Sequence, residues 1–154
     1  MNAFRSLGFG VLVAGAAAAY YVQRRVQEDG ISYGEALRAE PGNATARNSL
    51  ATVFLTQGRV DEAIVHYQRA LQTMPGSAGT HVNLGNALIR KGRVDEAIAQ
   101  YRTALQINPD FAEAHYNLSK VLLQKGEENE AIAHYQRAVQ INPDFAEPPK
   151  TPSR

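Results

Sequence analysis

The 154-residue chain contains no cysteine. That absence excludes disulfides, thiolate metal sites, a cysteine nucleophile and a lipidated N-terminal cysteine, and it leaves the redox compartment open. Also missing is a surplus of charge of either sign: 16 Lys and Arg stand against 15 Asp and Glu. A nucleic-acid binder should show a basic stripe, and none is visible along the chain. Catalytic groupings are equally scarce. No Ser–His–Asp order or paired-carboxylate cleft can be assembled, and Gly8-Phe-Gly10 follows no strand, so it is not a phosphate loop. The expectation is a non-catalytic chain with no cofactor and no nucleic-acid partner.

What is present is a period. Pro75, Pro109 and Pro143 stand 34 residues apart, and the residues between them recur in register. Leu50, Leu84 and Leu118 share one position; Gly58, Gly92 and Gly126 another. Ala63, Ala97 and Ala131 follow, then Tyr67, Tyr101 and Tyr135, then Ala70, Ala104 and Ala138. In each period the glycine separates two apolar-periodic runs of helical spacing. Asp61–Glu62 and Asp95–Glu96 open the second run, where acids favour the positive end of a helix. Asn108–Pro109 closes a helix, and Asp110 with Glu113 is expected to form a capping box for the next. A fixed period of this kind means stacked helix pairs, each unable to bury its apolar face alone. The four histidines, His66, His81, His115 and His134, recur at shared positions without an acid–His cluster, so no metal site is expected.

These residues resemble the tetratricopeptide repeat family over Ala44–Phe145, as three repeats (44–77, 78–111, 112–145) without insertion. Tyr33, Ala36, Leu37 and Pro41 match the second helix of a further unit, a half-repeat over residues 30–43. The departures are Ala51 and Ser119 where Gly85 sits, and Arg47, His81 and His115 at the position usually held by Trp. The resemblance implies an all-α, right-handed solenoid whose first helices line a concave groove for peptides or partner helices. Fold alone does not name the ligand.

Groove-facing positions are expected at Thr45, Asn48, Ser49, Thr52, Leu55 and Thr56 in the first repeat. The second supplies Gly79, Val82, Asn83, Asn86, Ile89 and Arg90; the third Glu113, Tyr116, Asn117, Lys120, Leu123 and Gln124. The surface is amide-rich and not strongly charged. Asn83 and Asn117, with Ser49 in register, resemble the asparagine ladder of the O-GlcNAc transferase repeats. An amide can donate to a peptide C=O and accept from its N–H at once. Chaperone-binding relatives grip an acidic C-terminal tail with Lys, Arg and two Asn. At those positions stand Asn48, Thr52, Asn83, Glu113 and Asn117, of which only Asn83 fits, so binding of chaperone tails is not expected.

Ahead of the repeats, residues 6–23 are uncharged and would span roughly 27 Å as a helix. With Tyr20 and Tyr21 at one edge and Arg24 and Arg25 beyond, residues 1–29 read as a single-pass membrane anchor with a short linker. Gly10, Ala14 and Ala18 form a smooth stripe for packing against another membrane helix. A cleaved signal peptide with a site near Ala14–Ala16 is the rival reading. At the far end, Asn142–Glu147 repeats Asn108–Glu113 and then breaks at Pro148–Pro149, leaving residues 146–154 as a proline-rich tail. The edge around Ile132, Tyr135 and Val139 is therefore expected to lack a capping helix and to be covered by a partner subunit or a second copy.

The sequence thus predicts a membrane-anchored interaction scaffold, an assembly factor or accessory subunit whose partners are membrane proteins. Two alternatives stand beside it: an exported peptide-binding module, and the regulatory partner of an enzyme on another chain.

Overall fold

The computed structural model describes residues 33–146. Helix α1 occupies residues 33–39. Three helix pairs follow: α2 (Ala44–Thr56) with α3 (Val60–Thr73), α4 (Ala78–Arg90) with α5 (Val94–Ile107), and α6 (Ala112–Gln124) with α7 (Glu128–Ile141). A 3-10 turn, Pro143–Phe145, closes the described chain. Each helix packs most closely on its pair mate, and α3 on α4 and α5 on α6 join one pair to the next.

The turn inside each pair has one cause. Gly58, Gly92 and Gly126 adopt φ of 78°, 73° and 80°, left-handed backbone that costs a residue with a Cβ about 1–2 kcal/mol. That reversal lets Arg59, Arg93 and Glu127 each donate N–H to a carbonyl of the last turn (Phe54, Leu88 and Leu122), each at 2.9 Å. The inner helix thus ends in a Schellman motif at the same register every time.

The starts of the inner helices are less uniform. Asn43 Oδ1 accepts from Ala46 N–H at 2.8 Å, and Ser77 Oγ from Thr80 N–H at 3.3 Å. Helix α6 starts after Phe111 with no side-chain cap. The capping box expected at Asp110 and Glu113 does not form, because Asn108 turns the loop instead, its Oδ1 accepting from Asp110 N–H at 3.1 Å.

The core is the repeat consensus made solid. Ala63, Ala97, Ala70, Ala104 and Ala138 are buried, so paired helices approach closely, and Tyr67 and Tyr101 fill the space beside them without exposure. A Cβ on Gly85 would lie 2.5 Å from Tyr101 Cε1, which is why that repeat has no side chain there. Between repeats, exposed ion pairs recur in register: Lys91 with Asp61 at 2.9 Å and Lys125 with Asp95 at 2.7 Å.

The membrane assignment is corrected. Among the described residues no helix is long and apolar enough to cross a membrane. The paired helices are 13 or 14 residues long, roughly 20 Å, and each turns one face to solvent. The anchor, with Gly10, Ala14 and Ala18, was placed at residues 1–29, outside the described residues, as are 147–154 of the tail.

Candidate partner-binding groove

Helices α2, α4 and α6 lie side by side and line a cavity of about 320 Å³. Its walls are Leu55 from α2, Asn86, Ile89 and Arg90 from α4, Asn117, Lys120, Val121 and Gln124 from α6, and the edge of Tyr101 from α5. A smaller hollow of about 130 Å³ lies at the other end of α2 and α4, between Thr45, Asn48 and Thr80.

The amides are linked across helices rather than standing free. Asn83 Nδ2 donates to Asn48 Oδ1 at 3.3 Å, and Asn117 Nδ2 to Asn86 Oδ1 at 3.1 Å. Asn86 Oδ1 also accepts from Tyr101 Oη at 2.7 Å. With its oxygen doubly engaged, Asn86 offers a ligand only N–H groups. Asn117 keeps its oxygen and one N–H. The ladder therefore bonds inner helix to inner helix first and presents what is left to the groove. Ser49, in register with Asn83, is half-buried.

One position differs between repeats in a way that shapes the cavity. Thr52 Oγ1 donates to Asn48 O at 3.1 Å and accepts from the Tyr67 hydroxyl at 2.9 Å; Asn86 takes the Tyr101 hydroxyl in the same manner. In the third repeat Lys120 stands there, and the Tyr135 hydroxyl turns away to donate to Ala146 O at 2.6 Å. Lys120 is left to the groove, its Nζ 5.4 Å from the Tyr116 ring centre. Tyr116 itself stacks on Phe145 at 4.7 Å. Burial foremost, and then the field of Glu113, push the Tyr101 phenol far above its usual range, so it serves as a neutral donor.

Charge is segregated between the two helix layers although the chain is nearly neutral. The inner helices carry Arg47, Arg90 and Lys120 against Glu113 alone. The outer helices carry Asp61, Glu62, Asp95, Glu96, Glu128 and Glu130 against Arg69, Arg102 and Arg137. Among the described residues, neither Arg90 nor Lys120 has a carboxylate within ion-pair distance. Arg90 Nη1 donates to Leu55 O at 2.5 Å, which holds the guanidinium over the cavity mouth. The sequence reading, taken along the chain, had no way to see this contrast across it.

One expected groove residue sits elsewhere. Val82 is buried in the core and cannot meet a ligand. Thr45, Thr52, Thr56, Gly79 and Glu113 are exposed, while Tyr116 and Leu123 are half-buried. Tyr101 and Val121 line the cavity without having been expected there; the 34-residue frame marked Tyr101 only as a core filler.

The position usually held by Trp carries a polar tether instead. Arg47 donates to Pro41 O, and Nε2 of His81 and His115 to Pro75 O and Pro109 O at 3.0 and 2.9 Å. The opposite ring nitrogens of the two histidines meet Gln100 at 2.7 Å and His134 at 2.8 Å on the paired outer helices. These contacts account for three of the four histidines as framework. His66 packs against Phe54 at 5.1 Å, its buried Nδ1 without a partner. At the C-terminal edge Ile132 is 52% exposed, whereas Ile98 and Ile64, its counterparts one and two repeats earlier, are 5% and 4% exposed under α6 and α4. Tyr135 and Val139 are half-buried, and Ala131 and Ala138 are fully covered.

Comparison with known proteins places this architecture. Three family models match: "TPR repeat" at residues 85–126, and "Tetratricopeptide repeat" at 54–103 and at 112–145. Among solved structures, one crystal structure of MamA is 27% identical, with a TM-score of 0.69 over 75% of this chain and 68% of that one. A second MamA structure is 24% identical at a TM-score of 0.71, covering 83% and 70%. The first TPR of Spaghetti (RPAP3), bound to the HSP90 peptide SRMEEVD, is 21% identical at 0.64, covering 66% and 80%. A search of curated proteins finds no match. From residue 54 to residue 145 the chain is therefore built of tetratricopeptide repeats, the architecture of a protein-interaction module.

Proposed function

We propose that the chain is a non-catalytic scaffold that holds an extended segment of a partner protein along the inner helices α2, α4 and α6. The observation that carries this reading is the shared cavity of about 320 Å³, walled by Leu55, Ile89 and Val121 and lined by the amides of Asn86, Asn117 and Gln124. Apolar walls with a few fixed polar groups suit side-chain pockets along a backbone held by hydrogen bonds. The RPAP3 domain holds a peptide on the same kind of repeat, which supports a peptide as ligand class. The ligand itself differs, because Glu113 stands where a chaperone-tail clamp needs a cation. An assembly role follows from the same surface: a rigid groove gathers a partner segment without acting on it. The test is selection of a random peptide library on the full chain, followed by binding to Asn83→Ala with Asn117→Ala. Loss of at least tenfold in affinity is expected; full retention rules the groove out as the main contact.

A further inference from the structure

The cavity between α4 and α6 has a chemistry narrower than peptide binding in general. Its lining contains two cations, Arg90 and Lys120, and no carboxylate. Asn86 adds only N–H groups, since Tyr101 and Asn117 occupy its oxygen. Donors therefore converge from three side chains, and beside them lies an aliphatic wall of the half-buried Leu55 and Ile89, backed by the buried Val121. The outer-helix acids Asp61, Glu62, Asp95, Glu96 and Glu130 are engaged by cations that do not line the cavity, and among the described residues six basic side chains are already paired with acids: Arg59, Lys91, Arg93, Arg102, Lys125 and Arg137. The carboxylate on the inner helices, Glu113, lies seven residues ahead of Lys120 on α6, roughly 10 Å along the axis. The groove is thus positive at one end and negative at the other.

We infer that this cavity is a carboxylate subsite, taking an Asp or Glu side chain of an extended peptide with a branched aliphatic residue next to it. The proposal rests on the inner-helix groove being the partner-binding face, and it adds the class and direction of the ligand. Charge complementarity selects the acid, because Arg90 and Lys120 gain partners they lack. The aliphatic wall selects its neighbour. Glu113 disfavours a second acid two helical turns away and suits a basic residue there. Its two cations, Arg90 and Lys120, stand outside the clamp positions of chaperone-binding repeats, which here hold Asn48, Thr52, Asn83, Glu113 and Asn117; of these Asn117 alone also lines the cavity.

The test uses the full chain and fluorescein-labelled, C-terminally amidated decapeptides of Gly and Ser with a Leu-Glu-Glu, Leu-Gln-Gln or Leu-Lys-Lys core, read by anisotropy. At 50 mM NaCl the Leu-Glu-Glu peptide should bind about tenfold more tightly than Leu-Gln-Gln, and Leu-Lys-Lys most weakly. At 300 mM NaCl the acid preference should shrink to about twofold, as screening of exposed charges requires. Arg90→Gln with Lys120→Gln should erase the preference, and Arg90→Lys with Lys120→Arg should keep most of it. Equal affinity for the Glu and Gln peptides overturns the proposal, as does a preference that survives the double Gln variant, or no binding of any peptide at millimolar concentration. Tighter binding of poly-U RNA than of the acidic peptide through the same two residues also overturns it. Peptides of all three kinds that bind alike, yet are lost on Asn83→Ala with Asn117→Ala, overturn this subsite alone and leave the groove as the binding face. Binding indifferent to both sets of substitutions overturns the two together.

Discussion

Nδ1 of His134 lies 2.8 Å from Nδ1 of His115, so the pair holds one proton between these two atoms. Because His115 Nε2–H donates to Pro109 O, its Nδ1 is the acceptor and His134 is the donor. His134 Nε2 lies 3.7 Å from Glu130, and Arg102 bonds that same carboxylate from α5.

The first prediction concerns pH. Burial is the main cause holding both His134 and His66 below the ordinary imidazole range; His115 adds repulsion at His134, and Arg69 and Arg47 add it at His66. Glu130 and Glu62 oppose these effects without cancelling them. The unfolded chain therefore binds these protons at higher pH than the folded chain. Stability is complete above the unfolded value, roughly 6.5, and declines as pH falls through it toward the lower folded values. Thermal melts followed by circular dichroism should show Tm falling by a few degrees between about pH 7.5 and 5.5. His66→Gln with His134→Gln should flatten that slope, and an unchanged slope would falsify the assignment.

A second prediction sets two glycines against each other. Gly92→Ala forces a Cβ onto φ of 73° and should cost about 1–2 kcal/mol. Gly79→Ala, in the first turn of α4 with open space around it, should stabilise by about 0.5–1 kcal/mol. Urea titrations of the two variants should move in opposite directions.

A third concerns close approach. Gly85→Ala places a methyl 2.5 Å from a ring carbon of Tyr101, whose hydroxyl is fixed on Asn86. Overpacking of this kind costs about 1–3 kcal/mol. Ala51 and Ser119 hold the same register in the other repeats, so the cost belongs to the fit of Tyr101 and not to the position. Adding Tyr101→Phe, which frees the ring from Asn86, should recover part of the loss; equal losses in the single and double variants would contradict this account.

A fourth uses the isoleucine register. Ile98→Ala should cost about 2–4 kcal/mol, because α6 covers that side chain. Ile132→Ala should cost well under about 1 kcal/mol in the isolated chain. Should a partner or second copy dock on this edge, Ile132→Lys will weaken that association without lowering Tm. Sedimentation across a concentration series, with and without the change, separates the two.

Much of the fold could be read from the period, because stacking repeats a local solution and each solution leaves its residues at fixed spacing. Gly58, Gly92 and Gly126 mark turns that only a left-handed residue makes, and Ala63, Ala97 and Ala131 mark crossings too close for larger side chains. The groove was harder. Val82 has the same spacing as a surface residue, yet it is buried, since α4 is covered on more faces than a helix at the end of a stack. Tyr101 serves core and cavity at once, and a repeat frame assigns one role per position. The charge contrast between layers was invisible to a running sum, because inner and outer helices alternate and cancel along the chain. The membrane reading drew on an uncharged run and its flanking tyrosines and arginines in residues 1–29, which lie outside the described residues.

The tethers from Arg47, His81 and His115 to the carbonyls of Pro41, Pro75 and Pro109 have a mechanical meaning. Each ties an inner helix to the loop by which the chain enters it, and two of them also reach the outer helix of the same pair. Where a large aromatic ring would wedge by volume, a directional bond fixes the angle between successive pairs while leaving them light. The solenoid should bend less readily at its loops than within its stacked faces, so a partner laid along the groove meets a ruler of fixed pitch rather than a spring.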